Sequence, residues 1–68
     1  MVDTNKLRGC IVAHGKTQAE VAKSIGMSPK TFCLRMKNGV FGSDEIEKMI
    51  DLLEIEDPVS IFFAKSVT

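Results

Sequence analysis

Residues 17–39, TQAEVAKSIGMSPKTFCLRMKNG, contain the signals for two short helices joined by a tight turn. Thr17 is a candidate N-cap, and Glu20 three residues later completes a capping box at the start of the first helix. Gly26 ends that helix, because the residue after a helix usually needs a positive φ, which glycine adopts without a Cβ clash. Ser28 then caps a second helix, which has a proline at its first position.

Two capped helices with a glycine turn between them form a helix-turn-helix, whose second helix can lie in the major groove of DNA. The spacing also resembles that of the lambda-type phage repressors and Cro proteins. The resemblance rests on Gln18 at the start of the first helix, Ala22 where the helices cross, Gly26 in the turn and Asn38-Gly39 after the second helix. It covers residues 4 to about 63, and its specific part is the motif itself.

One residue departs from the pattern of that family. Arg35 stands three positions after Phe32, where the family usually has an apolar residue, and the apolar residue comes one position later, at Met36. The second helix is therefore expected to run one residue longer or to be slightly rotated.

Composition predicts one small globular domain over residues 1–68. The chain has 44% hydrophobic and 26% charged residues, which is typical of folded proteins and not of disordered ones. It has no apolar run of the roughly 20 residues that a membrane span needs, and no signal-peptide pattern. Cys10 and Cys33 are too few for a disulfide framework, so we expect a cytoplasmic protein with reduced cysteines.

The charges are distributed unevenly along the chain. Residues 1–37 have seven Lys and Arg against two Asp and Glu, a net charge of +5, and residues 38–68 have two against seven, a net charge of −5. Phosphate binding depends on the field of one face and not on the total charge, which is zero. The basic half is the half that contains the predicted helix-turn-helix.

Periodicity and caps predict five helices and no strand, so the expected fold is a compact, all-α five-helix bundle of the lambda repressor-like type. The predicted helices are 4–14, 18–25, 29–37, a fourth capped by Ser43, and 58–63, and residues 64–68 are predicted to be a loose tail. The fourth helix has an apolar face with i, i+3, i+4, i+7 spacing, formed by Ile46, Met49, Ile50 and Leu53.

In the second helix of the motif, Phe32 and Met36 are predicted to face the core. The opposite stripe is then formed by Lys30, Cys33, Leu34 and Lys37. Lys30 can contact guanine or phosphate, and the apolar members can contact a thymine methyl group. Leu34 would instead lie in the core if the helix were rotated.

The full set of predicted DNA-contacting residues is Thr17, Gln18, Ser28, Pro29, Lys30, Thr31, Cys33, Leu34, Arg35, Lys37 and Asn38. The resemblance implies a phosphate contact for Gln18, and the alternative is a solvated surface side chain. Ser28 is predicted to act mainly as a cap. Arg35 would either clamp a phosphate or form a surface ion pair.

The sequence predicts no enzyme and no cofactor. It has no Cys/His spacing for zinc, no glycine-rich phosphate loop and no recognisable pair of nucleophile and base. His14 is the only histidine, and beside Gly15 it is interpreted as a residue at a helix end and not as a metal ligand.

These observations favour a sequence-specific, double-stranded DNA-binding transcriptional regulator of the Cro or repressor type from a phage or prophage. Because one such module contacts about one half-site, a homodimer is expected, at least on DNA, with Ile61, Phe62 and Phe63 as its candidate interface. The alternative for this cluster is that two of its residues lie in the core and one is merely exposed. No membrane or small-molecule partner is expected. The alternative is a protein-interaction module, antitoxin-like or anti-repressor, that uses its acidic C-terminal half.

Overall fold

The computed structural model describes residues 2–63, and within that range the chain forms five helices and no strand. The helices are α1 (Thr4–Ala13), α2 (Gln18–Ser24), α3 (Pro29–Asn38), α4 (Ser43–Leu52) and α5 (Pro58–Phe62). The radius of gyration is 11.0 Å, close to the value of about 11 Å expected for a folded domain of this length. The all-α, five-helix prediction is confirmed. The tail predicted for residues 64–68 lies outside the described residues.

Side-chain caps begin α2 and α3 where the sequence predicts them. The Thr17 hydroxyl accepts a hydrogen bond from the Glu20 backbone N–H at 3.1 Å, and the Glu20 carboxylate accepts one from the Thr17 N–H at 2.9 Å, so the capping box is complete. The Ser28 hydroxyl accepts from the Thr31 N–H at 3.2 Å. The N-cap of α1 is Asp3, whose carboxylate accepts a hydrogen bond from the Lys6 N–H at 3.1 Å.

The start of α4 differs from the prediction by one residue. Ser43 is the first helical residue, and the N-cap is Gly42, which has no side chain with which to cap. Glu45 supplies half of a capping box instead, because its carboxylate accepts a hydrogen bond from the Gly42 N–H at 2.7 Å. The predicted cap was wrong by one residue, because Gly42 and Ser43 are both residue types that favour the N-cap position.

The turn between α2 and α3 is a Schellman motif centred on Gly26, which has a φ of +78°. Its backbone N–H donates to the Lys23 carbonyl at 3.2 Å, and the N–H of Met27 donates to the Ala22 carbonyl at 2.8 Å. These bonds satisfy carbonyls that the helix end would leave without partners. The turn brings α2 and α3 into the most extensive contact between any two helices of the described chain.

The core receives buried apolar side chains from every helix and from the connecting segments. They are Val2, Leu7, Ile11, Val21, Ala22, Ile25, Phe32, Met36, Phe41, Met49, Leu53, Ile61 and Phe62. The predicted apolar face of α4 is buried at Met49 and Leu53 and only half-buried at Ile46 and Ile50. No polar or charged side chain of the described residues is buried.

Two core residues lie outside the helices and were not predicted. The ring of Phe41, in the loop between α3 and α4, packs against Phe32 with ring centroids 5.4 Å apart and an interplanar angle of 56°. Val2 is buried before α1, and its N–H donates to the Gly39 carbonyl at 3.0 Å. The N-terminal segment therefore closes the core beside the end of α3.

Among residues 2–63, no helix combines the length and the apolar character that crossing a membrane requires.

Candidate nucleic-acid interface

The outer face of α3 is a stripe of exposed side chains opposite its buried face. Phe32 and Met36 are only 1% and 3% exposed, whereas Lys30, Cys33, Leu34 and Lys37 are all exposed. Leu34 is 53% exposed, so it lies on the outer face, and the alternative in which it joins the core does not apply. We call the four exposed residues the α3 stripe.

The N-cap of α3 leaves a hydroxyl available beside the stripe. The Ser28 hydroxyl accepts from the Thr31 backbone and donates to the Thr31 hydroxyl oxygen at 2.9 Å. The Thr31 hydroxyl accepts that bond and keeps its own proton for another acceptor. Pro29 is exposed at the first position of the helix. Ser28 is thus mainly a cap, as predicted, and Thr31 is the hydroxyl that can donate to a ligand.

The start of α2 is a second polar element of this surface. Gln18 is half-buried at the first helical position, directly after the capping box formed by Thr17 and Glu20. The first N–H groups of a helix have no acceptor within the helix, and they favour an anion in front of them. Glu20 also places a carboxylate in the first turn, which opposes an anion there.

Arg35 is bound within the protein. Its Nη1 lies 2.7 Å from Oε1 of Glu45, and the two side chains are 38% and 22% exposed. Of the two alternatives for Arg35, the structure therefore shows the ion pair. Sequence analysis did not identify Glu45 as its partner, because ten positions and a loop separate the two residues.

The two lysines of the α3 stripe form no ion pair with a carboxylate of the described residues. Besides the Arg35–Glu45 pair, the other close contact of this kind within residues 2–63 is between His14 Nε2 and Glu54 Oε2 at 3.5 Å, and neither contact involves Lys30 or Lys37. Lys37 and Asn38 are exposed at the end of α3. The α3 stripe therefore presents a lysine near each end with apolar contact area between them.

The described residues offer no geometry for a metal. No group of three or more His, Cys, Asp or Glu side chains in the range 2–63 could hold an ion. Cys10 is half-buried, and Cys33 is exposed in the α3 stripe, and both are free thiols. His14 is the C-cap of α1, and its Nδ1 lies 3.1 Å from the Cys10 carbonyl oxygen.

The fold buries two residues of the predicted dimer interface and exposes the third. Ile61 and Phe62 are 6% and 2% exposed and lie in the core, so they cannot contact a second copy while the domain stays folded. Phe63 is 60% exposed. Of the three residues, only Phe63, the C-cap directly after α5, keeps its side chain on the surface.

Comparison with known proteins assigns a family over nearly the whole chain. Residues 1–65 match the family described as "Protein of unknown function (DUF739)". The chain belongs to the DUF739 family. No curated protein and no solved structure gives a significant match.

Membership of the DUF739 family does not assign an activity to this chain, because the description of the family names neither a ligand nor a reaction. The matched residues include all five helices and every residue of the α3 stripe. A function for this DUF739 protein must therefore be argued from its surface.

Proposed function

We propose that the protein is a sequence-specific, double-stranded DNA-binding transcriptional regulator in which α2 and α3 act as a helix-turn-helix. The observation that supports this most directly is the α3 stripe, with Lys30 and Lys37 exposed around Cys33 and Leu34. Lysine can bind guanine O6 and N7 or phosphate, and apolar side chains can contact thymine methyl groups. We propose no catalytic activity and no cofactor.

The dimensions of α3 suit this role. Its ten residues give a length of about 15 Å at a rise of about 1.5 Å per residue. The major groove is about 12 Å wide and admits one α-helix. Because Phe32 and Met36 anchor the opposite side of α3 in the core, the helix can present the stripe without unfolding.

Phosphate binding would come from the edges of the same surface. The start of α2 offers the Gln18 side chain and backbone N–H groups, and Thr31 offers a hydroxyl proton. Contacts of this kind position a protein on DNA without distinguishing bases. The resemblance of residues 17–39 to phage repressors and Cro proteins supports this role for Gln18.

We propose that the protein binds DNA as a homodimer, since one helix-turn-helix contacts about one half-site. The exposed ring of Phe63 lies beside a groove shared with Phe41 and Ile46, and Val40 is also 60% exposed nearby. A two-fold contact centred on Phe63 would bury this apolar surface. It replaces the Ile61-Phe62-Phe63 interface predicted from sequence.

Selection of binding sites from a random duplex library tests the function. The expected result is an inverted repeat with half-site centres about 10 base pairs apart. Affinity for the selected site should fall steeply with salt, with a log–log slope of about −0.9 for each phosphate neutralised. Failure to enrich any duplex would overturn the proposal.

A matched pair of lysine variants locates the interface. Lys30→Ala should weaken binding to the selected site by about 1–3 kcal/mol more than binding to random DNA. Lys48→Ala removes the same charge from an exposed position on α4, which contributes nothing to the proposed interface. It should change both affinities little. Equal losses on both DNAs in Lys30→Ala would assign Lys30 to the phosphate backbone.

A second candidate function is a protein-interaction module that uses the acidic half of the chain. Asp44, Glu47 and Asp51 are exposed on one side of α4 at i, i+3, i+7 spacing, and neither ion pair of residues 2–63 involves them. Selection from the duplex library separates the two candidates, because a module that binds a protein partner through these acidic side chains should enrich no duplex, since carboxylates repel phosphate.

A further inference from the structure

The ion pair between Arg35 and Glu45 connects α3 to α4 at a position that the DNA-binding proposal leaves without a role. Arg35 lies five positions after Lys30, which is about 140° around a helix at about 100° per residue. It therefore lies on a different side of α3 from the stripe. The distance of 2.7 Å between Nη1 and Oε1 is that of a charge-assisted hydrogen bond.

The same carboxylate oxygen makes a second contact. Oε1 of Glu45 also accepts a hydrogen bond from the Gly42 N–H at 2.7 Å. Glu45 is thereby held at the start of α4 by the backbone, and the Arg35 guanidinium is held by Glu45. The link closes the loop of residues 39–42 and fixes the C-terminal part of α3 against α4.

The loop of residues 39–42, which the ion pair spans, is also held by contacts with the core. The carbonyl of Gly39, directly after α3, accepts from the Val2 N–H at 3.0 Å, and the Phe41 ring packs on Phe32 at 5.4 Å. These contacts hold the loop from the core side. The Arg35–Glu45 pair, which is only partly exposed, holds it from the outer side.

We infer that Arg35 and Glu45 are positioning residues that set the orientation of the α3 stripe and thereby raise the ratio of specific to non-specific DNA affinity. This inference rests on the proposed DNA-binding function. Base contacts require correct placement of side chains such as Lys30 and Lys37, whereas phosphate contacts tolerate displacement. Because Glu45 matches its charge, Arg35 does not neutralise a phosphate in the wild-type complex.

The test compares wild type, Arg35→Met, Glu45→Gln and the double variant on the selected duplex and on a random duplex. Each single variant should lower the affinity ratio by about two- to fivefold, the upper part of the range for loss of one partly exposed ion pair. The double variant should lose no more than the larger single loss, because both changes remove the same link. Circular dichroism establishes that each variant is folded under the conditions of the binding assay.

Glu45→Gln gives the sharpest result, because glutamine keeps an acceptor for the Gly42 N–H and removes the charge opposite Arg35. Affinity for random DNA should hold or rise, while affinity for the selected site falls. Simple destabilisation would lower both affinities together through the folded fraction, and that outcome would overturn the inference. Arg35→Lys should restore part of the ratio, since it keeps the charge but loses the planar guanidinium.

The salt dependence of Arg35→Met distinguishes positioning from a phosphate contact. A positioning residue leaves the log–log salt slope unchanged, whereas loss of a phosphate clamp would reduce it by about 0.9. A reduced slope, or an unchanged affinity ratio in all variants, would overturn the inference and leave the proposed function intact. Failure of the wild-type protein to select any duplex would overturn both.

Discussion

Replacing Gly26 with alanine is expected to destabilise the domain by about 1 kcal/mol. Gly26 has a φ of +78°, and a left-handed conformation costs a residue with a Cβ about 1–2 kcal/mol. A Cβ built at this position meets nothing within 4 Å, so no steric clash adds to that cost. Alanine has less conformational entropy than glycine in the unfolded chain, which offsets about 0.4–1 kcal/mol of that cost. The net destabilisation is therefore about 1 kcal/mol.

The effect is measurable by thermal unfolding followed by circular dichroism. For a domain of this size, a change of 1 kcal/mol shifts the Tm by roughly 4–8 °C. Gly26→Val should produce a larger decrease, since strain for a residue held in a disfavoured region reaches about 1–3 kcal/mol. The loss is large for a small domain, in which a single core contributes only a few kcal/mol of net stability.

A second glycine provides a matched control, in which substitution by alanine is expected to raise stability and not to lower it. Gly9 lies within α1, and a Cβ at that position also meets nothing within 4 Å. Gly9→Ala should therefore stabilise the domain by about 0.5–1 kcal/mol, because glycine is a poor residue for a helix interior. If Gly26→Ala raised the Tm as Gly9→Ala does, the assignment of a left-handed turn between α2 and α3 would be refuted.

Three further predictions concern the proposed interfaces. Gln18→Ala should weaken binding to selected and random duplexes equally and leave the selected sequence unchanged, because the proposed contact is to phosphate; a new consensus would show that Gln18 distinguishes bases. Glu20→Gln keeps an acceptor for the capping box and removes a negative charge beside the proposed phosphate, so DNA affinity at low salt should rise roughly twofold or more; an unchanged affinity would place the phosphate elsewhere. Phe63→Asp should give a folded protein that no longer dimerises on DNA, whereas Phe62→Asp places a charge in the core and should unfold the domain; sedimentation equilibrium with circular dichroism checks both, and a dimeric Phe63→Asp would exclude the proposed contact.

The sequence by itself determined the local features of this protein. The capping box of Thr17 and Glu20, the cap at Ser28 and the turn at Gly26 were all predicted and are all present. Each of these features depends on hydrogen bonds or φ values within about five residues, so the residue types alone specify it. The same holds for the two faces of α3, because helical periodicity separates Phe32 and Met36 from the stripe.

Helix ends were predicted less accurately, because neighbouring residues compete for the same role. Sequence predicted α3 to end at residue 37, and it extends to Asn38, one residue further. At the start of α4 the chain uses Gly42 with a carboxylate from Glu45, where Ser43 was the expected cap. Both differences come from single hydrogen bonds that local preference does not distinguish.

Only the tertiary structure decided which residues meet across the chain. Val2 and Phe41 lie outside regular helices, so no periodicity marked them as core. Arg35 had two possible partners until the fold placed Glu45 at 2.7 Å. Sequence alone left open which of Phe62 and Phe63 lies in the core, and packing buried Phe62 and exposed Phe63. These outcomes depend on how helices distant in sequence pack together, and local sequence patterns contain no information about that packing.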